Sequence, residues 1–230
     1  LRALAAVNPN IVLVLSAGSV VDLAPAARAR AILHGYLGGE AGAGAMAELL
    51  YGDANPSGKL AESYPLALSD TPAYPYRKLR GNCAEYRESI YVGYRYYDKA
   101  KVPLRYPFGF GLSYTRFAYE DLRLSEAGVR FRLRNTGSRA GAEIAELYIC
   151  AAESETFRPE KELKGFAKVF LKAGEEREVF IPFDDKSFRV FDSVANRFLE
   201  ESGRYRILIG ASAADIRLNG ELVRAGEKLG

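Results

Sequence analysis

Twelve residues near the middle of this 230-residue chain, Leu104 to Thr115, separate two halves whose hydrophobic patterns differ. The stretch contains two glycines, one proline and four aromatic residues. Glycine permits positive φ and close backbone approach, proline fixes its own φ, and aromatic rings bury large areas. The stretch therefore predicts a packed hinge, rather than a loose linker, between domains over residues 1–103 and 116–230.

The half before the hinge has the pattern of a parallel α/β sheet. Its apolar runs without alternation, Ile11 to Leu15 and Ala31 to Leu37, are typical of strands buried on both faces. Residues 40–50 carry apolar side chains at three-to-four spacing, which predicts a helix packed on the sheet, with Gly52 as its C-cap. The segments that follow are predicted to be a strand and a surface loop, over residues 59–64 and 65–82.

The half after the hinge has the pattern of an all-β sandwich. About seven short alternating runs, separated by turn residues, are typical of an immunoglobulin-like fold. They cover residues 117–124, 129–134, 144–149, 163–171, 178–183, 188–191 and 205–209. The arginines of the second run fit a solvated outer face, and an anionic-ligand site is the alternative. The predicted fold class is thus α/β followed by an all-β sandwich.

Composition and charge argue against several functional classes. The net charge is +3 with both signs interspersed, and no basic block indicates nucleic-acid binding. The longest apolar run is far too short to span a bilayer. No signal peptide is visible, although the chain begins at Leu1 rather than Met, and with only two cysteines this favours a cytoplasmic location. Cys83 and Cys150 are expected to be reduced thiols.

Few residues are available for chemistry. The single histidine, His34, has apolar neighbours that predict an interior residue with satisfied hydrogen bonds, so neither a metal site nor a Ser-His-Asp triad is indicated. Residues 86–98 contain five tyrosines and two arginines. They fit either a carbohydrate or nucleotide surface, or a domain interface whose arginines pair with nearby carboxylates. The candidate substrate-binding residues are Glu88, Tyr91 and Arg95.

Segments in both halves resemble glycoside hydrolase family 3, the β-glucosidases, β-xylosidases and their relatives. They include Asn-Pro-Asn-Ile-Val-Leu-Val-Leu-Ser-Ala-Gly from residue 8, Leu-Tyr-Gly-Asp-Ala-Asn-Pro-Ser-Gly-Lys-Leu from residue 50 and Tyr-Pro-Phe-Gly-Phe-Gly-Leu-Ser-Tyr-Thr from residue 106. Segments from residues 135, 161 and 171 resemble the fibronectin type III-like domain that follows in the family. The resemblance implies a truncated α/β sandwich domain, the hinge over 104–115, and a fibronectin type III-like domain.

The resemblance also implies the chemistry of a retaining β-glycosidase, with two carboxylates about 5 Å apart. In the family the nucleophile is an aspartate on a TIM barrel, and the acid/base is a glutamate upstream of the segment that begins at Asn8. The chain contains neither, so we assign it no catalytic residue and expect it to be inactive alone. Glu88 is the carboxylate of this chain that we consider as a proton donor, although pairing with Arg87 or Arg95 is its expected role. No metal or organic cofactor is implied.

The implied partners follow from the same resemblance. The intact enzyme would hydrolyse terminal non-reducing β-linked sugars, binding the oligosaccharide or glycoside through the missing barrel. Without its first strands and the barrel, the α/β domain is expected to expose an apolar edge and to form a homodimer through it. The alternative function is a non-catalytic carbohydrate-binding or interaction module built from the same two domains.

Overall fold

The structure, a computed structural model, describes residues 1–77, 83–154 and 156–226. Short helices and strands occupy the first half: α1 (Arg2–Val7), β1 (Val12–Leu15), β2 (Ala31–His34), α2 (Gly42–Tyr51), β3 (Tyr64–Pro65), α3 (Tyr94–Ala100) and β4 (Leu104–Tyr106). Single 3₁₀ turns lie between them, at Ala24–Ala26, Leu68–Asp70 and Tyr74–Tyr76. We call residues 1–103 the α/β part, and β4 is the first segment of the hinge.

The two apolar runs form the parallel strand pair that their composition predicts. In β1 and β2, Val12 lies opposite Ala31 and Leu15 lies opposite His34. The expected burial on both faces is wrong for the part of the chain that the structure describes, because Val12 and Val14 are 52% and 43% exposed. One face of β1 therefore lacks a covering layer among these residues.

Helix α2 forms where its apolar spacing predicts it, and Gly52 ends it in the left-handed conformation at φ 82°. Its packing differs from the prediction, because no residue of the helix is buried. Met46 is half-buried, whereas Leu50 and Tyr51 are 45% and 85% exposed. Within the described ranges, most of the apolar face of α2 is open.

The strand predicted over residues 59–64 is reduced to β3, which pairs with β4. Leu60 instead exchanges backbone hydrogen bonds with the hinge: its N–H donates to the Phe110 carbonyl, and its carbonyl accepts from the Gly109 N–H, both at 2.8 Å. Two 3₁₀ turns interrupt the predicted loop over residues 65–82, of which residues 78–82 lie outside the described residues.

The second half is a sandwich of antiparallel strands, as predicted. Its strands are β5 (Phe117–Ser125), β6 (Gly128–Asn135), β7 (Gly141–Ala151), β8 (Glu162–Leu171), β9 (Glu176–Pro182), β10 (Arg189–Asp192), β11 (Arg197–Glu200), β12 (Gly203–Gly210) and β13 (Ile216–Arg224). One sheet has the order β13-β12-β7-β8, the other the order β5-β6-β9, and β10 and β11 form a separate hairpin.

Two of these strands, β11 and β13, are absent from the sequence prediction. The Asn219-Gly220 pair inside β13 has the composition of a hairpin turn, which conceals the strand. In the structure Gly220 continues the strand, and a Cβ there would lie 2.8 Å from the Leu124 side chain. The glycine therefore serves close packing between the sheets rather than a turn.

The core lies between the two sheets, because inward positions alternate with outward ones along each strand. Val129, Phe131 and Leu133 of β6 are buried, together with residues of the facing strands β7 and β12. The arginines of β6 point outward and pair with carboxylates: Arg130 with Glu178, and Arg132 with several. These contacts fit the predicted solvated face.

No helix in the described ranges is long and apolar enough to cross a membrane.

Candidate functional site

The tyrosine-rich segment packs against the sandwich. The Tyr91 ring meets Phe157 edge to face, with centroids 5.0 Å apart, and the Tyr91 hydroxyl donates to the Arg158 carbonyl at 3.2 Å. The Arg95 guanidinium lies 3.8 Å from a carboxylate oxygen of Glu162. Two of the three candidate substrate-binding residues are therefore engaged by the sandwich.

Glu88, the third candidate, does not form the expected ion pair. Arg87 pairs with Glu85, and Arg95 pairs with Glu162, so both arginines have other carboxylates as partners. Oε2 of Glu88 is buried and has no hydrogen-bond partner among the described residues. The prediction that Glu88 binds Arg87 or Arg95 is wrong, and one oxygen of this carboxylate is left unsatisfied.

The rest of the segment fills the interface between the two halves. The Tyr94 hydroxyl accepts a hydrogen bond from the Leu163 N–H at 2.8 Å, and its ring packs on Phe108 and Tyr148. The interface interpretation expects Asp98 to pair with an arginine of its own segment, but Asp98 pairs instead with Lys161 of the sandwich. The contacts support the domain-interface interpretation of these residues over an open binding surface.

A buried ion pair joins the α/β part to the sandwich. Nζ of Lys59 lies 3.0 Å from Oε1 of Glu143 and also donates to the Ala211 carbonyl at 3.1 Å. The Tyr119 hydroxyl donates to the same Glu143 oxygen at 2.8 Å. Burial and the adjacent Glu143 carboxylate raise the pKa of Tyr119. A carboxylate with two such donors is held in place and is not free for proton transfer.

A second buried carboxylate, Glu146, lies against the hinge. It accepts a hydrogen bond from the Tyr148 hydroxyl at 2.6 Å, and it is 4% exposed. Burial raises its pKa, an effect that the Tyr148 hydrogen bond and the Lys59 charge oppose. The carboxylate lies so close to Gly109 that a side chain there would meet it.

One side chain of the α/β part also holds the end of the hinge to the sandwich. Oδ1 of Asn55 accepts from the Ser113 hydroxyl at 3.0 Å and from the Tyr114 N–H at 2.8 Å. Its Nδ2 donates to the Ala140 carbonyl at 2.9 Å. The hinge is thus a packed segment with specific hydrogen bonds on both sides.

His34 ends β2 beside three polar residues. Its ring lies 3.8 Å from that of Tyr36 and 6.1 Å from that of Tyr64, measured between centroids. Neither ring nitrogen has a hydrogen-bond partner within the described part of the chain, and the same holds for the Tyr64 hydroxyl and for Oε2 of Glu62. The prediction of a satisfied interior histidine is therefore wrong.

The titration of this cluster follows from its burial. Burial lowers the pKa of His34, and the Glu62 charge partly opposes the change. Burial also raises the pKa of Tyr64 to about 12, with smaller contributions from Tyr36 and Glu62. His34 is consequently neutral near pH 7, with one nitrogen as a donor and the other as an acceptor.

The described residues hold no group of three metal-ligating side chains. Both cysteines are free, as predicted, with Cys83 exposed and Cys150 buried. The most buried carboxylates, on Glu143, Glu146 and Glu201, are all engaged in hydrogen bonds. The arrangement can hold two domains together, and no pair of free carboxylates suited to glycoside hydrolysis occurs among these buried groups.

Sequence reasoning missed the buried polar residues of the interface. Lys59 begins the segment that was predicted as a strand, directly after turn residues, and its partner is 84 positions away. Glu143 and Glu146 gave a signal that could have been used, since they interrupt an otherwise apolar strand, where a charge requires a partner. The identity of those partners depends on the tertiary fold alone.

Comparison with known proteins gives the family. Residues 1–114 match the Glycosyl hydrolase family 3 C-terminal domain, and residues 143–213 match the Fibronectin type III-like domain. Thermostable beta-glucosidase B of Acetivibrio thermocellus is 42% identical over 226 residues, which cover 95% of this chain. The exo-alpha-(1->6)-L-arabinopyranosidase of Bifidobacterium breve is 39% identical over 222 residues, which cover 94% of this chain.

Solved structures agree with the sequence matches. The GH3 beta-glucosidase of Bifidobacterium adolescentis superimposes with a TM-score of 0.93 at 38% identity, over 98% of this chain and 34% of its own. The chain spans only 30% of the Acetivibrio enzyme and 29% of the Bifidobacterium breve enzyme. The chain therefore belongs to glycoside hydrolase family 3, of which it carries the C-terminal domain and the fibronectin type III-like domain.

Proposed function

We propose that residues 1–230 are the C-terminal region of a retaining β-glycosidase that hydrolyses terminal non-reducing β-linked sugars. The observation that carries the proposal is the 42% identity to a beta-glucosidase over 95% of this chain but only 30% of the relative. The chain is expected to be inactive alone, because the retaining reaction needs two free carboxylates about 5 Å apart. The buried carboxylates of the interface are engaged in holding the domains together.

In the intact enzyme the two carboxylates would come from residues outside this chain. One attacks the anomeric carbon, while the other protonates the leaving oxygen and later activates water. We propose that residues 1–103 form one side of the substrate pocket, with the hinge over 104–115 bracing them on the sandwich of residues 116–230. The hydrogen bonds of Asn55 and the Lys59–Glu143 ion pair support this bracing role.

Glu88 remains the substrate-contact candidate in this chain, because its Oε2 atom has no partner among the described residues. Tyr91 and Arg95 are engaged by the sandwich. We propose that these two hold the segment in place, and that any direct contact with a β-linked oligosaccharide comes from Glu88.

The first experiment compares hydrolysis of p-nitrophenyl β-glucoside and β-xyloside by this chain and by the intact enzyme. Activity of the intact enzyme alone is the expected result. Activity of the isolated chain would contradict the proposal, and loss of that activity in Glu88→Gln would then identify its carboxylate. Inactivity of both proteins would favour a carbohydrate-binding or interaction module.

We further propose that the isolated chain forms a homodimer through β1. In the described ranges this strand pairs with β2 alone, so its other edge offers free backbone groups beside the exposed Val12 and Val14. Light scattering during dilution should show a dimer, and Val14→Lys should weaken it. Val194→Lys, at a hairpin tip that is 95% exposed, is the matched control. A monomer at all concentrations would refute the dimer.

A further inference from the structure

Two large aromatic side chains lie uncovered on the outer face of β8. Phe166 and Phe170 are 66% and 57% exposed, and Lys168 lies between them on the same face. Across the sheet, Phe166 is opposite Glu146 and Phe170 is opposite Ala142. We call Phe166, Lys168 and Phe170, with Ala142 and Ile144 of β7, the aromatic patch. A contiguous exposed apolar patch on a sheet is a candidate binding surface.

The aromatic patch continues the interface between the α/β part and the sandwich. Farther along the same face of β7, Tyr148 packs against Tyr94 of α3. At the Phe166 end, the opposite residue Glu146 lies against the hinge at Gly109. The α/β part thus covers the face up to the edge of the patch and stops there.

The other end of the patch is bordered by the α/β part as well. Gly141 begins β7 and lies against the Asn55 side chain, which also bonds the Ala140 carbonyl. Arg139 donates to the Gly52 carbonyl at the end of α2. The patch therefore lies beside the contacts that join the two halves of the chain.

A second copy of the chain fits this surface poorly. A two-fold axis through the patch would bring Lys168 close to the same residue of the other copy, and like charges at an interface are unfavourable. Lys168 has no ion pair among the residues that the structure describes. A different polypeptide with an acidic group opposite Lys168 would cover both rings and pair this charge.

We propose that the aromatic patch binds the part of the intact enzyme that lies outside residues 1–230. The inference rests on the proposed function and deepens it, because it makes the sandwich contact that part directly and not only through residues 1–103. The relatives are long enough to contain a segment that makes such a contact, since this chain spans only 30% of the Acetivibrio enzyme. An apolar segment buries Phe166 and Phe170 and places a carboxylate beside Lys168.

Hydroxyl-radical footprinting with mass spectrometry tests the contact in both proteins. Oxidation of Phe166 and Phe170 should be at least about fivefold slower in the intact enzyme than in the isolated chain, as expected for residues that enter an interface core. Phe198, on the β10–β11 hairpin and 65% exposed, is the matched control and should be oxidised equally in both. Equal oxidation of all three rings in an active enzyme would overturn the proposal.

Variants distinguish this contact from other causes of protection. Phe166→Ser should leave the thermal midpoint of the isolated chain unchanged and lower that of the intact enzyme, while Phe198→Ser changes neither. Lys168→Glu should lower the thermal midpoint of the intact enzyme and leave that of the isolated chain unchanged. If footprinting protects the rings but the enzyme hydrolyses no glycoside, the proposed function fails and the contact stands. Protection in the isolated chain that disappears on dilution would mean self-association and would refute the proposal.

Discussion

Gly109→Ala tests whether the hinge packs as tightly on the sandwich as the structure shows. Gly109 has φ 80°, a left-handed backbone, and a Cβ atom there would approach both carboxylate oxygens of Glu146 to less than 3.0 Å. The carboxylate cannot readily move into water, because it is 4% exposed and holds the Tyr148 hydroxyl. The substitution therefore strains the backbone and the buried carboxylate together.

The two costs can be worked out separately. A left-handed backbone costs an L-residue about 1 to 2 kcal/mol. Forcing an extra methyl group into a filled space costs about 1 to 3 kcal/mol more. Gly174 is the matched control, because it has φ 73° but, among the described residues beyond its own chain neighbours, no atom lies within 4 Å of its Cβ position. Gly174→Ala should therefore cost only the first amount, and Gly109→Ala should cost both.

Thermal unfolding followed by circular dichroism measures the difference, with the 15 tyrosines as near-ultraviolet probes of packing. For a chain of this size each kcal/mol lowers the midpoint by about 2 to 4 °C. Glu146→Ala in the Gly109→Ala background should recover part of the loss, which a double-mutant cycle records as coupling. Equal destabilisation by Gly109→Ala and Gly174→Ala would refute the tight contact between the hinge and Glu146.

Three further predictions concern buried polar groups. Because burial lowers the pKa of His34, the histidine of the unfolded chain takes up a proton at a higher pH than that of the folded chain, and the free energy of unfolding should fall as the pH drops below the ordinary value of 6.5. In urea titrations at several pH values, His34→Gln should flatten this dependence. Lys59→Met leaves the buried Glu143 unpaired, and it should lower the unfolding free energy by about 3 to 5 kcal/mol, whereas Lys101→Met, at an exposed ion pair, should change it by under about 1 kcal/mol. Tyr64→Phe removes a hydroxyl that has no hydrogen-bond partner within the described ranges and should leave stability unchanged or raised, so a marked loss in the same titration would reveal a hydrogen bond.

Local patterns in the sequence predict most of the architecture. Apolar runs without alternation give β1 and β2, and strict alternation in Val129 to Arg134 gives β6 with its arginines outward. Such patterns suffice because side-chain direction along a strand depends on the backbone period alone. They fail at β13, where an Asn-Gly pair continues a strand, since the choice between turn and strand rests on packing against Leu124.

The candidate site depended far less on local pattern. Sequence proximity suggested that Glu88 pairs with Arg87 or Arg95, but both arginines have other carboxylate partners in the fold. The exposed face of α2 shows the same limit, because its apolar spacing predicts a covering layer without saying which residues provide it. An ion pair or a packed face needs a second group, and the distance to that group is a property of the whole fold.

The sequence by itself therefore determined most of the strand and helix pattern and, through its motifs, the family. The tertiary structure alone decided the contacts that join the halves: Lys59 with Glu143, Gly109 against Glu146, and the aromatic patch left open beside them. The physical reason is the distance along the chain over which each effect acts. Backbone preferences act over a few residues, whereas burial leaves a charge stable only where a distant part of the chain supplies its partner.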